Sequence, residues 1–94
     1  MEHMKDVEDL TYQEINWLLA KIEGYKYVHI FHQQVMVSNK KHESYDYNPC
    51  ENWNRAANII QREKLTIVKG DLVGALREFI YKTVGGNVSL EGMK

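Results

Sequence analysis

The spacing of apolar residues changes period several times along this chain, and those changes limit what it can fold into. Ile15, Leu18, Leu19 and Ile22 recur at i, i+3, i+4 and i+7, which is the stripe of an amphipathic helix. Residues 25–31 read Tyr-Lys-Tyr-Val-His-Ile-Phe, the aromatic and β-branched types that strands favour. Val35, Met36 and Val37 follow as a second short strand. Helical spacing returns at Trp53, Ala56, Ala57 and Ile60. Leu65, Thr66, Ile67 and Val68 again look like a strand, and Leu72, Val73, Leu76, Phe79 and Ile80 again like a helix. The pattern predicts an α/β (α+β) fold: a small two- to three-stranded sheet, with strands near 25–31, 34–38 and 65–68, packed with three helices near 12–23, 49–63 and 71–84. Tyr25, Tyr27 and Phe31 alternate with Val28 and Ile30, so both faces of the first strand carry apolar side chains. Helices on both sides of the sheet would cover them; helices on one side only are the alternative.

Local signals fix the ends of these elements. Thr11-Tyr12-Gln13-Glu14 is a capping box, with Leu10 and Ile15 placed for a hydrophobic staple. Gly24 follows the last apolar position and suits a left-handed helix stop. His32-Gln33-Gln34 turns the chain without the Asn-Gly pair of a tight hairpin, so the turn leaves the register open. The polar stretch 38–47 reads as a loop. Asn48-Pro49-Cys50-Glu51 reads as a helix start, with Asn48 as cap and Pro49 at the first helical position. Lys69-Gly70-Asp71 breaks the chain and caps the third helix, which Gly85-Gly86 ends. Val88 and Leu90 belong either to a last short strand or to the surface.

Ninety-four residues make one domain, 1–94, with 1–8 and 89–94 read as flexible ends. Twelve basic side chains against thirteen acidic ones give a net charge of -1, without the basic excess of a protein that grips duplex nucleic acid. A single cysteine, Cys50, permits no internal disulfide and fits a reducing compartment. The first residues lack the apolar run of a signal peptide, and no stretch reaches the ~20 apolar residues of a membrane span, so a cytoplasmic protein is expected.

Few residues invite chemistry. The strongest candidates for a ligand site are Tyr45, Tyr47, Asn52, Trp53 and Arg55, around the start of the second helix. A helix N-terminus offers amides and a positive dipole end, aromatic rings can stack on a ligand, and Arg55 adds a donor fork. The competing and favoured reading makes Trp53 a core anchor, because it shares helical spacing with Ala57 and Ile60. Cys50, read in the first turn of that helix, would gain thiolate character from the dipole, with His42 as the nearest base; no cysteine-enzyme signature surrounds it. His29 and His32 lie three apart, an odd spacing that puts strand side chains on opposite faces, and with His42 and Cys50 they match no zinc module. No metal and no cofactor are expected. Arg62-Glu63-Lys64 reads as a solvated helix end with local ion pairs, and Lys40-Lys41-His42 is too short a basic tract to bind nucleic acid. Trp17, Tyr81 or the aromatic strand face are the candidates for a homodimer contact.

Two segments carry a family resemblance. Tyr47-Asn48-Pro49-Cys50-Glu51-Asn52-Trp53-Asn54 is followed by Ile59-Ile60-Gln61-Arg62-Glu63, and the first helix runs from Leu10-Thr11 to Ala20-Lys21-Ile22-Glu23-Gly24. In these the chain resembles the NinX-like family of small bacteriophage and prophage proteins of unknown function. Cys50 stands where a small hydroxyl residue is common in that family. The resemblance implies an α/β/α-sandwich-like domain, a phage origin and action in the bacterial host cytoplasm, and it implies no catalytic residues. Together with the lack of a catalytic constellation, it points to a non-enzymatic binding module for a host protein or a defence or DNA-metabolism complex. A binder of nucleotides or other small anions, and a Cys50-dependent enzyme, are the rival readings.

Overall fold

Three helices and two small antiparallel sheets make up the computed structural model of the protein, which describes residues 4–40 and 43–93. In chain order these are β1 (Met4–Asp6), a 3₁₀ turn (Val7–Asp9), α1 (Tyr12–Ile22), β2 (Tyr27–Phe31), β3 (Gln34–Lys40), β4 (Glu43–Asp46), α2 (Trp53–Glu63), α3 (Leu72–Val84) and β5 (Asn87–Ser89). This is an α+β fold. β2, β3 and β4 form a meander, while β1 and β5 pair with each other and join the two ends of the chain.

The helix ends follow from side chains that meet the orphan backbone amides. Both halves of the capping box of α1 form: Thr11 Oγ1 accepts from the Glu14 amide at 3.2 Å, and a Glu14 carboxylate oxygen accepts from the Thr11 amide at 2.8 Å. Leu10 and Ile15 are both buried, as a staple requires. Gly24 has φ +82° and ends α1 in the left-handed region. Asp71 caps α3 by accepting from the Gly74 amide at 2.8 Å.

α2 starts later than its proline suggests. Asn52, not Asn48, is the cap, and its Oδ1 accepts from the Asn54 amide at 3.0 Å. Residues 48–51 form a turn closed by the Glu51 amide donating to the Asn48 carbonyl at 3.0 Å. Cys50 ties this turn to α1, its amide donating to Asn16 Oδ1 at 3.0 Å. Pro49 is fully buried there.

The sheet shows which face the helices cover. Val28 pairs with Val37 and Ile30 with Val35, and this row points inward. Tyr27, His29 and Phe31 point the other way and are exposed. α1 lies against β2, β3 and α3, and α2 packs on α3. The helices therefore sit on one side of the meander, not on both, and the sandwich expectation gives way to the one-sided alternative. An aromatic side chain on an edge strand does not require a covering layer, since much of any folded surface is apolar.

Residues 65–68 are not a strand. Lys64 ends α2 with φ +53°, the Leu65 amide donates to the Ile60 carbonyl at 3.0 Å, and Leu65 and Ile67 lean on the core as irregular chain. They pair with none of the described strands. Conversely, part of the stretch 38–47 read as a loop is strand: β3 runs to Lys40 and β4 pairs Tyr45 with Val37 and Asp46 with Met36. Met4–Asp6 and Asn87–Ser89, within or beside the segments read as ends, pair as Met4–Ser89, Lys5–Val88 and Asp6–Asn87. Val7, Val88 and Leu90 are buried beside them.

Candidate functional site

The start of α2 and the end of β4 bring most of the expected site residues together. Tyr45 lies on the inner face of β4, at its exposed edge, opposite Val37. The Arg55 guanidinium sits 4.8 Å above its ring centroid, a cation–π contact. The Tyr45 and Tyr25 hydroxyls lie 3.3 Å apart, and the Tyr25 ring stands edge-on to Tyr45 at 6.2 Å and to Tyr47 at 5.2 Å. Tyr47 is buried beneath them. Tyr25 completes this aromatic cluster, and strand alternation alone could not single it out. Asn52 is committed to capping its own helix.

Trp53 is not a core anchor. It is 53% exposed, whereas Ala56, Ile59 and Ile60 carry the buried face of α2. The late start of the helix places it in the first turn, beyond the core that those residues reach. Trp53 and Arg55 thus occur two residues apart, both exposed, at one end of α2.

Burial and charge set the protonation of this region. Burial pushes the Tyr25 hydroxyl up to about 12, helped by the hydrogen bond and charge of Tyr45 and by Glu23, and opposed by Arg55. Tyr47 is raised further, mainly by burial and then by Glu23 and Tyr25. Cys50 is 6% exposed, and burial raises its thiol to about 12, with Arg77 opposing and Glu51 adding. It lies in the turn before α2, not in its first turn, so the dipole argument for a thiolate does not apply. His42 and Lys41 lie outside the described residues. His29 is exposed and His32 sits in the β2–β3 turn against Phe31, and among the described residues no group of three metal-binding side chains forms.

The two segments that carry the family resemblance meet. Arg62 grips Glu23 through both nitrogens of its fork, at 2.8 and 2.7 Å, while its Nε donates to Glu63 at 2.8 Å. Those carboxylates raise the Arg62 guanidinium further above its ordinary range. Each motif gives one partner of this clamp, and neither announces the other.

Two depressions mark the described surface. One, of about 90 Å³, lies between the start of α1, the β2–β3 turn and the turn before α2, and includes Gln13, Asn16, Asp46 and Glu51. The other, of about 260 Å³, lies along the 3₁₀ turn and the start of α3, between Glu8, Asp71, Arg77 and Tyr81. There Asp71 is already a cap, and Arg77 Nη2 donates to the Leu10 carbonyl at 2.6 Å. Of the dimer candidates, Trp17 is buried and stands beneath Lys21, whereas Tyr81 and the Tyr27–Phe31 face are exposed.

Fold and site together define a small α+β domain with an aromatic and arginine surface and no assembled catalytic group among the described residues. The model of the family described as Bacteriophage P22, NinX matches residues 6–76, and the chain belongs to that family. No curated protein and no solved structure matches it. It is a phage accessory protein, and none of its described helices is long and apolar enough to cross a membrane.

Proposed function

We propose that the protein is a non-enzymatic binding module that engages a host protein, or a defence or DNA-metabolism complex, in the cytoplasm of the infected bacterium. The observation that carries this reading is Trp53, 53% exposed in the first turn of α2, the turn from which Arg55 stacks on Tyr45. Trp, Tyr and Arg are the residue types that dominate binding energy at protein interfaces. An exposed tryptophan offers a large apolar surface that ordering on a partner would bury. Trp53→Ala should leave the fold intact and remove the partner. Capture from host lysate with wild type and Trp53→Ala, both matched for melting temperature, tests this. A protein held by wild type and lost with the variant supports the reading; identical captures from both overturn it.

The rival reading, a binder of nucleotides or other small anions at the start of α2, has less support. The Asn54 amide is already taken by Asn52, and Glu51 and Asp46 bring negative charge to the same end. Thermal-shift screening with a nucleotide panel separates the two, since ligand at a hundred times its Kd adds ~2.7 kcal/mol of stability.

A further inference from the structure

We infer that the free edge of β2 pairs antiparallel with the same edge of a second copy of the chain, joining the two meanders into one continuous sheet. β2 is an outer strand, since the meander runs β2-β3-β4. Phe31 and Gln34 close the two-residue turn as a hydrogen-bonded pair, and such pairs alternate along an antiparallel ladder. Tyr27, His29 and Phe31 therefore direct their backbone groups to β3, whereas Val28 and Ile30 turn theirs to the open edge. No backbone group of a turn, loop or cap among the described residues meets them there. The side chains of this edge are unfinished as well. Val35 and Val37 are buried, but Val28 and Ile30, their partners in the inward row, are only half-buried. A further strand beside β2 would complete that row.

Proteins blunt an open edge with charge, proline or a bulge. β2, Tyr-Val-His-Ile-Phe, has no proline and no lysine, arginine or carboxylate, and it pairs with β3 without a register shift. At the opposite edge, β4 pairs through a register shift and exposes Asp46. A second copy fits β2 because the strand is self-complementary. A two-fold axis through His29 sets Val28 against Ile30 of the second copy and Tyr27 against its Phe31, and the symmetry repeats both pairs. The Val28–Ile30 pairs exchange backbone hydrogen bonds, while Tyr27–Phe31 and His29–His29 are the closer pairs, in which side chains meet. Tyr27 and Phe31 are 43% and 57% exposed, so each of their pairs covers two rings now in water. Residues 24–34 hold no carboxylate, and the axis places the two copies of their one cationic lysine, Lys26, at opposite ends of the paired strands. Five residues a side make a small interface, below the ~1,200 Å² of stable complexes, so the dimer should be micromolar.

This pairing goes beyond the host-binding reading and makes no use of Trp53. Sedimentation equilibrium of the whole chain, from micromolar to millimolar concentration, should show a reversible dimer. His29 is exposed, so His29→Glu and His29→Lys should each keep the fold, as matched melting temperatures would show. Each should weaken the dimer at least about tenfold, because like charges then face each other across the axis. An equimolar mixture of the two variants should dimerise again, since the facing charges become opposite. His29→Cys tests the register without charge. Its Cα atoms would stand ~4.5 Å apart, within disulfide range, so mild oxidation should cross-link the two copies. Tyr27→Cys, ~13 Å from its own copy along the strands, should not cross-link. Cys50 is buried and does not compete. A monomer at every concentration, a dimer equally tight in both charged variants, or equal cross-linking of Tyr27→Cys would overturn the proposal. So would a monomer that takes up a host protein lost with His29→Glu, which would give the edge to a foreign strand.

Discussion

Two buried acids, Cys50 and Tyr47, and the half-buried Tyr25 make the native state hold protons that the unfolded chain releases. Cys50 and Tyr25 are each raised to about 12, and Tyr47 is raised as well, all chiefly by burial. Unfolded, a cysteine titrates near ~8.5 and a tyrosine near ~10. The folded values lie above the unfolded ones, so the stabilisation is complete below the unfolded values and drains away as pH climbs toward about 12. The urea midpoint should fall steadily between about pH 8 and pH 11, and a flat profile would contradict the burial of these groups. Thiol alkylation at neutral pH should be slow in the folded protein and fast in urea.

Glu14 behaves in the opposite sense. Burial pushes its carboxyl up, but Lys5 and the Thr11 amide and hydroxyl together outweigh that and hold it below its ordinary value. Its contribution is present above the unfolded value near ~4.3 and is lost as pH falls through the folded value. Thr11→Ala should cost ~1 kcal/mol. That corresponds to a fall of ~4–8 °C in melting temperature for a domain of this size. Glu14→Gln should flatten the acid limb of stability, as urea melts at low pH would show.

At the scale of elements, the hairpin carries a local conflict. His32 and Gln33 both have positive φ, +50° and +65°, in the two-residue turn between β2 and β3. Turns of this kind favour Asn-Gly, because most side chains are strained there. The inward row Val28–Val37 and Ile30–Val35 overrides the turn and sets the register, since a slip of β3 by one residue would turn Val35 and Val37 away from the core. Replacing His32-Gln33 with Asn-Gly should therefore raise stability by about 1 kcal/mol, measured by urea melts. No gain would mean that the left-handed turn is not strained. α2 offers a contrast within one helix. Trp53→Ala should change stability by less than about 0.5 kcal/mol, whereas Ile59→Ala should cost ~2–5 kcal/mol.

That contrast also shows what could be read from residues alone. The capping box of α1, its stripe and the β2–β3 hairpin were legible because their determinants lie within one turn or one strand pair. The start of α2 was not, because two asparagines four positions apart, Asn48 and Asn52, both suit a helix cap. Residues 65–68 have strand-like types but pair with no described strand, and β4, Glu-Ser-Tyr-Asp, carries no apolar alternation to mark it. The candidate site was partly legible. Tyr45 and Arg55 do come together, while Tyr25 and the Glu23–Arg62 clamp depend on the packing of separate segments.

At the scale of the whole molecule, the closing feature is the pairing of β1 with β5. Three residues at each end align, with the Val7 amide donating to the Gly86 carbonyl at 3.0 Å as the chain enters the 3₁₀ turn. Neither segment is long enough to signal a strand by itself, so no local pattern reveals the pair. Bringing them together closes nearly the entire chain into one loop, whose entropic cost grows with loop length. Contacts of such separation are expected to form after the α1, α3 and hairpin core, which consists of nearer neighbours. Deleting residues 1–6 should therefore remove about 1–3 kcal/mol from a total on the order of 5–14 kcal/mol, leaving a cooperative but weaker fold. The loss should fall on the unfolding rate, with refolding nearly unchanged, because a contact absent from the transition state affects only escape from the native state. Stopped-flow chevrons of the full and shortened chains decide this: a slowed folding limb would place the β1–β5 closure in the nucleus, and unaltered kinetics would show that the two ends contribute nothing to holding the core shut.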